Sequence, residues 1–127
     1  MIEFTECKDP DRLETEALVH LNNAIVKSRS NLTLNEVLEN VRKSEGTIYT
    51  ITDGKIIGAM YLERFADTLS LSLLGGVNIK AWSSELVAFI RSILKSEGIS
   101  HICVIGRCGW QGLFAEMKPI GMLYVAE

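Results

Sequence analysis

"TLSLSLLGGVNIKAWSSELVAFIRSILKSEGISHICVIG", residues 68 to 106, is the stretch that decides how this chain folds. It opens as an apolar run ending in two glycines, passes into a helical period, and closes as a second short apolar run. Leu86, Phe89, Ile90, Ile93 and Leu94 recur at three- and four-residue steps, the spacing that gives a helix one buried stripe. Ser83 or Ser84 is placed to cap the start of this helix, and Gly98 to stop its end. A strand, a helix and a second strand in that order form a crossover. Its two strands are parallel and covered on both faces, and "ISHICVIG" is apolar enough for such an interior position.

The preceding stretch, "TIYTITDGKIIGAMYLERFADTLSLSLLGG", reads as three antiparallel strands. β-branched and aromatic residues flank Asp53-Gly54, a strong hairpin signal, and a second turn falls near Ala66-Asp67. Before it, "TLNEVLENVRKSEG" carries Thr33 and Glu36 at capping-box spacing, Leu34, Val37, Leu38 and Val41 as a buried side, and Gly46 as terminator. Earlier still, Asp9 as N-cap and Pro10 at the first helical position predict a helix from Pro10 to Ser28. Its apolar stripe is Leu13, Ala17, Leu18, Leu21, Ala24 and Ile25. "IEFTEC" is a short strand, "WQGLFAEM" a short helix ended by Pro119 and Gly121, and "MLYVAE" a terminal strand. The expected class is α/β (α+β), with a mixed central sheet and the order β-α-α-β-β-β-α-β-α-β.

With 127 residues, 47% of them hydrophobic, the chain suits one domain spanning residues 1 to 127. A net charge of −3 without an acidic or basic block argues against nucleic acid and against an anionic membrane surface as partners. Cys7, Cys103 and Cys108 fit neither a disulfide framework nor a structural metal site, so no metal is expected and a reducing cytoplasm is. Charges interrupt "MIEFTECKDPDR" too early for a signal peptide, and no stretch approaches the ~18 apolar residues that a membrane helix needs.

That element order resembles the acyl-CoA N-acyltransferase fold of the Gcn5-related (GNAT) superfamily over nearly the whole chain. "LSLLGGVNIKAWSSELVAFIRSILKSEG" together with "HICVIGRCGW" further resembles small tailed-phage proteins with a Leu-Gly-Gly turn, a Trp-started helix and a terminal Gly-Arg-x-Gly-Trp. The resemblance implies a cofactor site between two parallel strands that splay apart, with the pyrophosphate on free amides at the start of the central helix. Its counterparts here would be Leu74, Gly75, Gly76, Lys80, Ser83 and Ser84, if coenzyme A binds. A backbone amide around Leu73 or Leu74 would then serve the thioester oxygen.

This loop departs from the superfamily's Arg/Gln-x-x-Gly-x-Gly/Ala pattern. Its glycines stand at the wrong end, Trp82 crowds the helix start, and Glu85 in the first turn repels a pyrophosphate. The resemblance also implies a Tyr acid one turn before a Gly-Phe, yet Met117 and Met122 flank Gly121. Tyr124 is the nearest phenol, two or three positions into a strand. "TLSLSLL" carries no carboxylate base, which leaves Glu63 and Asp67, with His20 and His101 as alternatives. Cys103 and Cys108 are candidate nucleophiles only where a histidine lowers a thiol pKa. In "GRCGWQG", residues 106 to 112, Arg107 and Trp110 read as a packed corner or as contacts to an anion or a partner.

The leading expectation is a tailed-phage protein with a degenerate acyl-CoA site and no cofactor, acting in virion assembly or as a minor virion component. Other virion proteins would be its partners, in the cytoplasm of the infected bacterium or in the virion. The alternative is an active acetyl-CoA-dependent N-acetyltransferase of a small amine or a protein amino group. A host-directed binding module ranks third. An exposed edge on the terminal strand would allow a homo-oligomer.

Overall fold

The structure, a computed structural model, describes residues 1–28, 30–65, 67–106 and 122–126. Its sheet has six strands in chain order: β1 (Glu3–Cys7), β2 (Gly46–Thr52), β3 (Ile56–Phe65), β4 (Thr68–Gly76), β5 (His101–Gly106) and β6 (Met122–Ala126). β1 to β4 pair antiparallel, whereas β4 with β5 and β5 with β6 pair parallel. The mixed α/β class expected from the sequence is therefore the one adopted. The short helix expected over "WQGLFAEM", with Pro119 and Gly121, lies outside the described residues.

Two apolar layers cover the sheet. α1 (Thr15–Ser28) and α2 (Leu34–Arg42) bury Ala17, Leu21, Ala24 and Val37 against Ile48, Ala59, Tyr61 and Leu73. On the opposite face α3 (Ser83–Glu97) buries Leu86, Val87, Ile90 and Ile93 against Met60, Leu62, Leu69, Leu71 and Leu74. Successive side chains of a strand alternate between faces, which is why Leu71 serves one layer and Leu73 the other only because something intervenes between them. That irregularity is Ser72. Tyr61 pairs with Leu73 and Leu62 with Leu71, so Ser72 is an extra residue opposite no partner, a β-bulge.

Several local expectations need correction. Asp9 does cap a helical turn at Pro10, but that turn is a 3₁₀ piece, Pro10–Arg12, closed by an extended Leu13 at ψ 134°, and α1 starts afresh at Thr15. The Thr33–Glu36 capping box forms as read, with both reciprocal bonds. Gly46 does not terminate α2, which ends at Arg42; Ser44 takes the left-handed conformation at φ 60°, and Gly46 already belongs to β2. Neither Ser83 nor Ser84 caps α3. A 3₁₀ turn, Ile79–Trp82, runs straight into it, so Ser83 is already helical and its hydroxyl donates back to the Lys80 carbonyl. Gly98 is the stop: at φ 66° its N–H reaches the carbonyls of Leu94 and Lys95.

Candidate active site

β4 and β5 pair from Thr68/His101 as far as Leu71/Val104 and no further, although β4 runs on to Gly76 and β5 to Gly106. The two parallel strands therefore part at Ser72, the bulge residue. On the β5 side of Ser72–Gly76 the backbone has no strand partner among the described residues, and peptide groups there must find another partner. β5 continues instead along β6, pairing Ile105 with Val125 and Gly106 with Ala126. A wedge opens between the strands, and α3 begins at its wide end.

The α3 N-terminus carries no side-chain cap, so its first amides and the positive end of the helix dipole favour an anion. Lys80 is exposed on the turn that leads into it, Ser83 is half-buried and Ser84 exposed. Glu85, also exposed, stands in the first turn and opposes that preference. Leu74 and Gly75 are buried, and both glycines are explained by neighbours within the chain. A Cβ on Gly75 would collide with the His20 carbonyl of α1; one on Gly76 would meet the Trp82 ring at 3.0 Å and the Ile57 carbonyl at 2.7 Å. Trp82 itself is buried, and its indole N–H donates to the Val77 carbonyl at 2.9 Å. The close backbone approach that these glycines permit is thus used by α1 and by the Trp82 ring.

On the α1/α2 face, next to the parting, a polar row crosses two strands. Ser72 Oγ donates to Glu63 Oε1 at 2.6 Å, and the Ser70 and Ser72 hydroxyls lie 3.1 Å apart. Both serines are buried, and a buried hydroxyl is tolerated only when it is bonded. Asn40 Nδ2 donates to the Tyr61 hydroxyl at 3.0 Å. Burial first, and then the nearby Glu63, push the Tyr61 phenol up to about 12, against the pull of the Asn40 bond, so it is a neutral hydroxyl at any physiological pH. Glu63 is half-buried and its outer side lines a cleft of about 400 Å³ between the end of α2, the start of β2 and the end of β3.

The other sequence candidates fall elsewhere. Asp67 and His101 meet each other at 3.4 Å on the surface, below the parting. His20 is half-buried on α1, and burial, opposed by Glu16, lowers its imidazole pKa. Cys103 stands beside Ser70 across the β4–β5 ladder. Burial raises its thiol pKa, against the Ser70 hydrogen bond, the wrong direction for a thiolate nucleophile. Tyr124 is placed in β6, in register with Val104. Arg107, Cys108 and Trp110 lie outside the described residues. The Ser70–Ser72–Glu63 row was not foreseen. Its signal was two serines alternating through an otherwise apolar strand.

This geometry is similar to that of known acetyltransferases. The structure superposes on the ribosomal-protein-S18-alanine N-acetyltransferase of Escherichia coli with a TM-score of 0.64 at 13% identity, over 92% of this chain and 76% of that one. Tetrahymena GCN5 gives 0.66 at 12% identity, over 90% and 76%. A predicted acetyltransferase from Clostridium acetobutylicum, solved with acetyl-CoA, gives 0.65 at 7% identity, over 91% and 88%. No family profile matches the sequence, and no curated protein matches it. The chain has the GNAT acetyltransferase fold.

The expectation of a site without a cofactor is overturned by these neighbours, one of which was solved with acetyl-CoA in the same fold. The physical reason lies in the parted strands and the uncapped start of α3, features of the backbone that the departures in "GGVNIKAWSS" do not remove. No described helix is long and apolar enough to cross a membrane.

Proposed function

We propose that this chain is an acetyl-CoA-dependent N-acetyltransferase of a small amine or a protein amino group. The observation that carries the reading is the parting of β4 from β5 at Ser72, where a bulge and a missing ladder coincide. Acetyl-CoA supplies an activated acyl group on a good leaving thiolate. The chain's part is to hold and orient. The amides of Leu73 or Leu74 donate to the thioester oxygen, Lys80 and the first turn of α3 take the phosphates, and Leu74 and the strand backbone line the way between. Fixed amides aimed at developing charge account for much of acyl transfer, so a titratable acid within the described wedge is not a requirement.

The tailed-phage, virion-assembly reading draws no support from the neighbours, which are acetyltransferases. Calorimetric titration with coenzyme A tests the proposal. Binding by the unaltered chain, weakened at least tenfold by Lys80→Glu, is expected; no heat with the unaltered chain overturns it.

A further inference from the structure

The cleft beside Glu63 is not part of the wedge, and its chemistry suits a different molecule. It is lined by Asn40, Ser44, Glu45, Gly46, Glu63, Arg64 and Phe65, and its volume of about 400 Å³ is that of a small-molecule site. One wall is apolar: the Phe65 ring is 58% exposed, a large hydrophobic surface left uncovered at the mouth. Gly46, in the same lining, has no room for a side chain, since a Cβ there would strike the Tyr61 ring.

The charges on this cleft do not cancel. The Arg64 guanidinium is held by both oxygens of Glu97, at 2.6 and 2.8 Å, with its remaining arm on Thr47 Oγ1 at 3.0 Å. It is committed to α3 and leaves the field to the carboxylates of Glu45 and Glu63. Glu63 in turn is one hydrogen bond from Ser72, the residue at which β4 and β5 part. One hydrogen bond thus joins a carboxylate of the cleft to the residue that borders the wedge.

We propose that this cleft holds the acceptor: a primary alkylamine whose ammonium group donates to Glu63 and Glu45 and whose hydrocarbon lies on the Phe65 ring. The proposal rests on the acyl-transfer reading for its purpose, but amine binding is measurable without coenzyme. A free alkyldiamine and a lysine side chain share this chemistry, so both are used as probes. In an NMR titration of the ¹⁵N-labelled full chain, cadaverine or Nα-acetyl-lysine methylamide shifts the backbone amides of Gly46, Glu63 and Phe65, and 1-pentanol does not.

Glu45→Gln is at an exposed position and Glu63→Gln keeps an acceptor for Ser72, so both variants retain the fold. Each weakens the amine about tenfold, roughly 1.4 kcal/mol. Shifts with cadaverine alone assign a free amine, and shifts with the lysine derivative assign a protein amino group. Shifts that are absent with both probes, that 1-pentanol reproduces, or that both Gln variants leave unchanged overturn the proposal. Cleft shifts in a chain that fails to bind coenzyme A would leave the amine site standing and remove the acyl-transfer reading.

Discussion

The backbone carbonyl of His20 in α1 rests against Gly75 of β4, so closely that no side chain fits between them. This contact sets how near α1 lies to the strand that borders the wedge, and it involves backbone on both sides, which cannot swing away. Gly75→Ala must therefore push α1 off the sheet. We expect a loss of about 1–3 kcal/mol, the usual range for overpacking, read as a lower midpoint in urea. Gly54→Ala is the control. It has open space but a φ of 75°, and should cost about 1–2 kcal/mol through backbone strain without moving any element.

Trp82 offers a second stability test. Its ring lies over Gly58 and Gly76, and its indole N–H is bonded to Val77. Trp82→Ala should cost about 3–5 kcal/mol, as for other large-to-small changes in a core. Trp82→Phe keeps an aromatic ring on the glycines and should cost less than Trp82→Ala. If both variants unfold at the same denaturant concentration, the ring's packing is not what holds the turn.

Acid should act on the chain partly through Glu97. The bidentate Arg64 bond holds this carboxyl below the usual carboxylate range against a small burial cost. A depressed folded-state pKa contributes stability that is fully present above the unfolded value of about 4.3 and is lost as the pH falls through the folded value. Glu97→Gln should lower stability at pH 7 and narrow the gap between variant and parent below pH 4. A constant gap over that range would mean that the pair does not titrate as the geometry requires.

Base should act through Tyr61. With its phenol pushed up to about 12 by burial, the folded chain keeps a proton that the unfolded chain loses near 10. Stability from this group is complete below the unfolded value and is lost as the pH rises toward 12. In a spectrophotometric titration of phenolate, Tyr61→Phe should remove the component of highest pKa. Loss of a component near 10 would contradict the buried position.

Much of the fold was legible because it depends on local rules. The Thr33–Glu36 box, the Asp53-Gly54 turn and the Gly98 stop each follow from a few adjacent residues, and each forms as read. The errors arise where a neighbouring element intrudes. Leu13 breaks the first helix in two, and the 3₁₀ turn ahead of α3 takes the capping position from Ser83. The site was harder to see because it is made by strand register. Glu63 and Ser72 are nine positions apart, and the β3–β4 register, which sets Glu63 opposite Ser70 on the face that Ser72 shares, brings the hydroxyl to the carboxylate. Gly75 and Gly76 suggested a phosphate cradle; what they accommodate is a helix carbonyl and an indole.

The short seam between β4 and β5 also sets how the sheet breathes. β2, β3 and β4 are stitched by tight local turns, whereas β5 is fastened to β4 only up to Leu71/Val104, after a long detour through α3. Amide protons of Leu73 to Gly76 that face this seam should exchange with solvent faster than those of β3, and a molecule lodged there would slow them from both sides at once. Occupancy of the wedge would thus be visible as a local change in deuterium uptake, without any turnover at all.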